Sequence, residues 1–163
     1  MGLSQDLLDL ADHLSRRERR KPKQASLRRA ISTAYYALFH LLIEEATKRW
    51  SGHKDSRIGL ARAFEHTNMD KASKAFQKSN WQGFDDNNVA IPSDLQKVAL
   101  AFTILQAERH RADYSYAARF TRAGVRGRVK QAQRAFEHWA AVKNNPAADY
   151  YLVALLTGNR RRD

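Results

Sequence analysis

Arg109, His110, Arg111, Asp113 and Tyr114 crowd one short stretch, AERHRADYSY at positions 107–116. Far upstream, in LRRAISTAYYALFHLL at positions 27–42, Arg28, Arg29, Ser32, Tyr36 and His40 recur at helical spacing. Guanidinium groups make planar two-point contacts with phosphate, imidazole exchanges a proton near neutral pH, and phenols both stack and hydrogen-bond. Together these side chains suit a cleft that holds an anion. At about 100° per residue, Arg29, Tyr36 and His40 share one stripe, within about 40° of each other. Arg28, Ser32, Tyr35 and Phe39 form an adjacent stripe, and both lie off the aliphatic face. The plainer alternative makes the tyrosines a bundle edge or a subunit interface with their hydroxyls in water. Arg109 and Asp113 are four apart and can pair on one helix face. A helix C-terminus favours cations, which gives Arg109 and Arg111 a structural role, whereas Asp113 is unfavourable there unless it is paired.

A second cationic series, Arg122, Arg126, Lys130, Arg134 and His138, advances in four-residue steps, with Arg119 and Arg128 adding to it. A charged helix face is commonly just solvated, but soluble helices usually alternate signs, and this band has no interleaved Glu. Arg122, Arg126, Lys130 and Arg134 are therefore candidate nucleic-acid contacts. The whole chain points the same way. It has 163 residues, with 29 Lys and Arg against 17 Asp and Glu, a formal net charge of +12. Such a surface attracts polyanions through counterion release, RNA or nucleotides among them, although charge also serves solubility.

Several chemistries are excluded. There is no cysteine, hence no disulfide framework, thiolate metal site or cysteine nucleophile. Glu-x-x-His, His-Glu-x-x-His and the P-loop pattern do not occur, so neither metal nor cofactor is expected. The apolar runs fall far short of the ~20 residues that span a bilayer. The opening MGLSQDLLDLADHL carries early acids and no apolar signal region. The expectation is a cytoplasmic protein without membrane contact.

Helices must position these residues. Ser4 can cap a first helix, with Leu7, Leu10, Ala11 and Leu14 on one face, that stops near Pro22. A long second helix covers about Gln24 to Trp50, its core face being Leu27, Ile31, Ala34, Leu38 and Leu41. Gly52 ends it. Short helices follow at about Ser56 to His66 and Asp70 to Lys78, then a turn-rich loop from Ser79 to Pro92 that Trp81 and Phe84 should pin down. Ser93 opens a third long helix through Leu95, Val98, Ala99, Phe102 and Leu105. Thr121 begins a fourth, with Val125, Val129, Ala132, Phe136 and Trp139 in its core. Asn145 and Pro146 start a last helix, packed through Tyr150, Val153 and Leu156 and ended by Gly158. The tail from Asn159 to Asp163 is expected to fray. The pattern predicts an all-α single domain over residues 1–163. It is an antiparallel four-helix bundle with a core at about 5–143, a short helical insertion at about 53–92 and an extra C-terminal helix at about 145–157. The pair from Arg57 to Phe76 could imitate a helix-turn-helix, but its second helix offers few base-reading side chains.

Two segments resemble the HEPN superfamily: Ser32-Thr33-Ala34-Tyr35-Tyr36-Ala37-Leu38-Phe39-His40 on the second helix, and Arg109-His110-Arg111-Ala112-Asp113-Tyr114 ending the third. His53 also falls where many relatives have a histidine. The resemblance implies a four-helix core, homodimers, and a prokaryotic toxin–antitoxin or defence context. It also implies a possible protein partner, a nucleotidyltransferase or a toxin or antitoxin. Many members are metal-independent endoribonucleases with Arg, four to six residues, then His, often followed by x-Tyr. Here, with Tyr114 on the motif tyrosine, the histidine position is Ala112 and the arginine position Ala107, and no histidine in the chain has an arginine at that spacing. The reading is a non-catalytic, HEPN-like, RNA- or nucleotide-binding protein. Its binding residues are Arg28, Arg29, Ser32, Tyr36, His40, Arg109, Arg111, Asp113 and Tyr114. Two alternatives stand beside it: an endoribonuclease using His40 or His110 with Arg109, and a structural or partner-binding homodimer.

Overall fold

A computed structural model describes residues 2–160. Among them are seven helices and one hairpin: α1 (Leu3–Arg16), α2 (Gln24–Trp50), α3 (Lys54–Ala61), α4 (His66–Ala75), β1 (Asn80–Gln82), β2 (Asn88–Ala90), α5 (Ser93–Tyr114), α6 (Arg122–Val142) and α7 (Pro146–Thr157). The protein is mostly helical, as the periodicity requires. No helix among the described residues is long and apolar enough to cross a membrane. The chain divides into two compact units. One comprises the residues up to Leu41 together with Ile104–Phe136; the other comprises Leu42–Thr103 and the chain from Glu137 onward.

In the first unit, Leu27, Ile31, Ala34, Leu38, Leu105, Val125, Val129 and Ala132 are buried as their spacing demands. Tyr35 is also completely buried, as are Ser32 and Phe39 to within a few per cent. The stripe expected to lie off the core is thus core, because α2 is enclosed nearly all round. The first helix also differs from expectation. It starts one residue before Ser4, with Gly2 at the N-cap, and buries Ser4, Leu8, Ala11 and Ser15. Leu10 and Leu3 stay outside, 44% and 52% exposed. Small side chains let a helix approach its neighbours closely, and that packing outweighs the larger leucines. The turn into α2 is tied by Ser26, whose hydroxyl donates to the Glu18 carboxylate at 2.6 Å. That hydrogen bond leads the causes holding the Glu18 pKa below its ordinary value. The Gln24 amide donates to the Phe120 carbonyl at 2.8 Å and accepts from its N–H at 3.0 Å.

The second unit contains the hairpin, which lies inside the stretch expected to be a loop. Trp81 pairs with Val89 between Asn80–Ala90 and Gln82–Asn88, with Asp86 at φ 64° in the turn. Three-residue strands leave no period for a sequence reading to detect. Trp81 is 4% exposed and packs on Phe76 at 4.7 Å, and its indole N–H donates to Asn159 Oδ1 at 2.7 Å. Asn159 is therefore held; residues 161–163 of the expected frayed tail lie outside the described residues. Helix α4 packs against α7, with the buried hydroxyls of Ser73 and Tyr151 2.8 Å apart. This turns α4 inward and leaves it no helix-turn-helix role. Asn145 caps α7 by accepting from Ala147 N–H at 2.9 Å, and Gly158 ends it at φ 69°. The buried face of α7 is Ala148, Tyr151, Leu152 and Leu155, whereas Tyr150 is 38% exposed. An almost wholly apolar helix has no polar side to reveal which stripe turns inward.

Candidate functional site

All the sequence-predicted site residues lie in the first unit. Arg28 forms the clamp there. Its guanidinium donates to the carbonyls of Ala112 and Ser115 at 2.8 Å each and of Ala118 at 2.6 Å, over the Phe120 ring at 5.5 Å. It thereby satisfies carbonyls at the end of α5 and in the following loop that have no helical partner. Ser32 donates to Asp113 Oδ2 at 3.1 Å, and Arg109 donates to the Tyr36 hydroxyl at 2.9 Å while its Nε lies 3.5 Å from Asp113. The expected Arg–Asp pair is present. The Arg109 side chain is only 13% exposed and sits 5.4 Å from the centres of both the Tyr35 and Tyr36 rings. Burial opposes its charge, but the Tyr36 hydrogen bond and the pull of Tyr36, Tyr35 and Asp113 outweigh it, and its pKa is raised. His40 continues the aromatic row, its ring 5.4 Å from Phe39 and 6.4 Å from Tyr36. Tyr36, Arg109, Asp113 and Ser32 are thus brought together as an internally paired network, and Arg29 stands exposed outside it.

The surface beyond this network is different. Tyr114 is 69% exposed and Tyr116 97%. They line a hollow of about 390 Å³ with Arg28, Asp113 and Arg119. His110 lies against Tyr114 at 4.9 Å. Arg119 also lines a second cleft, of about 420 Å³, with Arg111, Phe120, Gly124, Gly127 and Arg128. Glu108 partly neutralises that cleft, lying 3.2 Å from Arg111 and 4.0 Å from Arg128. Arg111 sits over the Phe120 ring at 4.9 Å. A Cβ added at Gly127 would meet nothing within 4 Å, so the glycine leaves the α6 surface bare at the cleft. Stacking faces beside guanidinium groups are what an unpaired base and its phosphate require.

Along α6, Arg126, Lys130 and Arg134 are exposed. Arg122 turns away: it donates to the Arg19 carbonyl at 3.0 Å, and its Nε and second terminal nitrogen are buried without a partner. His138, the last member of the band, belongs to the second unit and sits 2.7 Å from Asp94. Tyr116, Arg119, Phe120, Gly127 and Arg128 were missing from the predicted site. Two glycines inside one basic helix, three apart, were the available signal. Among the described residues no three His, Asp or Glu side chains gather where they could hold a metal ion. No family model, no curated protein and no solved structure matches this chain.

Proposed function

We propose that this is a HEPN-like protein that binds single-stranded RNA or nucleotides without cutting them, at the end of α5 and the loop leading to α6. In this reading α1, α2, α5 and α6 are the antiparallel four-helix bundle, and the context is a prokaryotic toxin–antitoxin or defence system. The carrying observation is the pair of exposed tyrosines, Tyr114 and Tyr116, beside Arg119 and the cleft that Arg111 and Arg128 line. Bases stack on such rings whatever their identity, and guanidinium groups take the phosphates. The exposed row of Arg126, Lys130 and Arg134 extends the positive surface. Arg109 supports binding without cleavage, because its charge is already spent on Tyr36 and Asp113.

A salt series with a labelled single-stranded RNA tests this. Affinity is expected to fall linearly on a log–log scale, with a slope of about −0.7 for each phosphate contact. Tyr114→Ala with Tyr116→Ala should weaken binding at least about tenfold. Arg111→Ala with Arg119→Ala should make the slope shallower by about 1. Absence of binding at low ionic strength would sink the proposal. The endoribonuclease alternative rests on His110 beside Tyr114. RNA cleavage in EDTA that His110→Ala abolishes would favour it.

A further inference from the structure

The leucines of α1 that the fold leaves outside are not scattered. Leu3, Leu7, Leu10 and Leu14 are separated by four, three and four residues, the spacing of a coiled-coil seam. Leu3 and Leu10 are 52% and 44% exposed, and Leu7 and Leu14 are half-buried. The helix is thus apolar on two faces. Ser4, Leu8, Ala11 and Ser15 face the protein, and the leucines form a ridge about 100° away that nothing in the chain covers.

The charges beside the ridge say what fits it. Asp6 and Asp9 stand in the first half of α1, His13 and Arg16 in the second, all four exposed. A helix graded from acid to base is complementary to itself reversed. We propose that α1 pairs antiparallel with α1 of a second copy of this chain. A two-fold axis between Leu7 and Leu10 sets Leu7 against Leu10 and Leu3 against Leu14 of the second copy. The same axis brings Asp6 and Asp9 alongside the second copy's His13 and Arg16, twice over. Parallel pairing would set Asp6 against Asp6 and Arg16 against Arg16, and would align the two helix dipoles unfavourably. The tie from Arg16 to Asp12 at 3.1 Å lies on the exposed surface and costs little to rearrange. Fourteen residues make a helix only about 21 Å long. One such pair stays below the ~1,200 Å² of a standard interface, so the association is weak and depends on concentration. The proposal is independent of the RNA site.

Sedimentation velocity of the full chain, at concentrations up to about 500 µM, tests it. The wild type is expected to pass from monomer to dimer across the series. Leu3→Glu with Leu10→Glu should leave a monomer with an unchanged circular dichroism spectrum. Two charge variants separate the seam from a folding defect. Asp6→Lys with Asp9→Lys, and His13→Glu with Arg16→Glu, should each weaken self-association at least about fivefold. Mixed together, they should form a heterodimer at least as tight as the wild type. A wild type that stays monomeric throughout would assign the ridge to some other helix and overturn the proposal. A dimer untouched by the leucine substitutions, or charge variants that do not recover on mixing, would overturn it equally.

Discussion

Arg28 shows how one residue's role turns on what surrounds it. By type and position it suits phosphate, yet all three of its recorded hydrogen bonds go to main-chain carbonyls, those of Ala112, Ser115 and Ala118. Each charge-assisted bond of this kind contributes about 1.5–3 kcal/mol, and an orphaned carbonyl costs a further fraction. Arg28→Lys is therefore expected to destabilise the protein by about 2–3 kcal/mol, since an ammonium cannot span three acceptors from one planar fork. Urea unfolding measures this, and a lysine variant as stable as the wild type would refute the clamp. Arg109 follows the same logic with Tyr36 and Asp113. The pairing of Arg109 with Asp113 was legible from their four-residue spacing. The carbonyls that capture Arg28 were not, because they belong to residues more than eighty positions away.

At the scale of elements, the helices with one apolar stripe were readable and those with two were not. The buried faces of α5 and most of α6 match the periodicity of Leu95 to Leu105 and Val125 to Trp139. For α1 and α7 the periodicity allowed more than one face, and packing chose the other. Termination was more legible. Asn145, Pro146 and Gly158 mark the ends of α7 in the sequence, and the structure uses each as marked. Gly158 has a second constraint. A Cβ there would lie 2.6 Å from Asn68 Oδ1, on a backbone already at φ 69°. Gly158→Ala should cost about 1–3 kcal/mol in thermal unfolding. Adding Asn68→Ala relieves the contact but not the left-handed backbone, so only part of the loss should return. Complete recovery would mean that the backbone conformation is unstrained for alanine.

The whole molecule carries a pH dependence of its own. Tyr151 is fully buried, and burial raises its pKa, with the Ser73 hydrogen bond pulling partly the other way. In the unfolded chain a phenol titrates near 10. Below about pH 10 both states keep the proton and the contribution of Tyr151 is intact. Above it the unfolded chain loses a proton that the folded chain retains, so stability falls as pH rises, by up to about 1.4 kcal/mol per pH unit. Tyr151→Phe should flatten that alkaline slope while costing about 1 kcal/mol at neutral pH through the orphaned Ser73 hydroxyl. Unfolding free energies measured from pH 8 to 11 decide it, and an unchanged slope would show that other groups carry the alkaline loss.

The residue pattern by itself determined that this chain is helical, where its longest helices run, and that its surface is strongly cationic. These are local or additive properties: a 3.6-residue period, caps and breakers within a few positions, and a sum of charges. The tertiary structure decided which cations are available. It drew Arg28, Arg109 and Arg122 into internal contacts and left Arg111 and Arg119 beside two exposed tyrosines. It also decided which leucines of α1 face outward. Those outcomes depend on contacts between distant segments, where desolvation and close packing outweigh the preference of any single side chain.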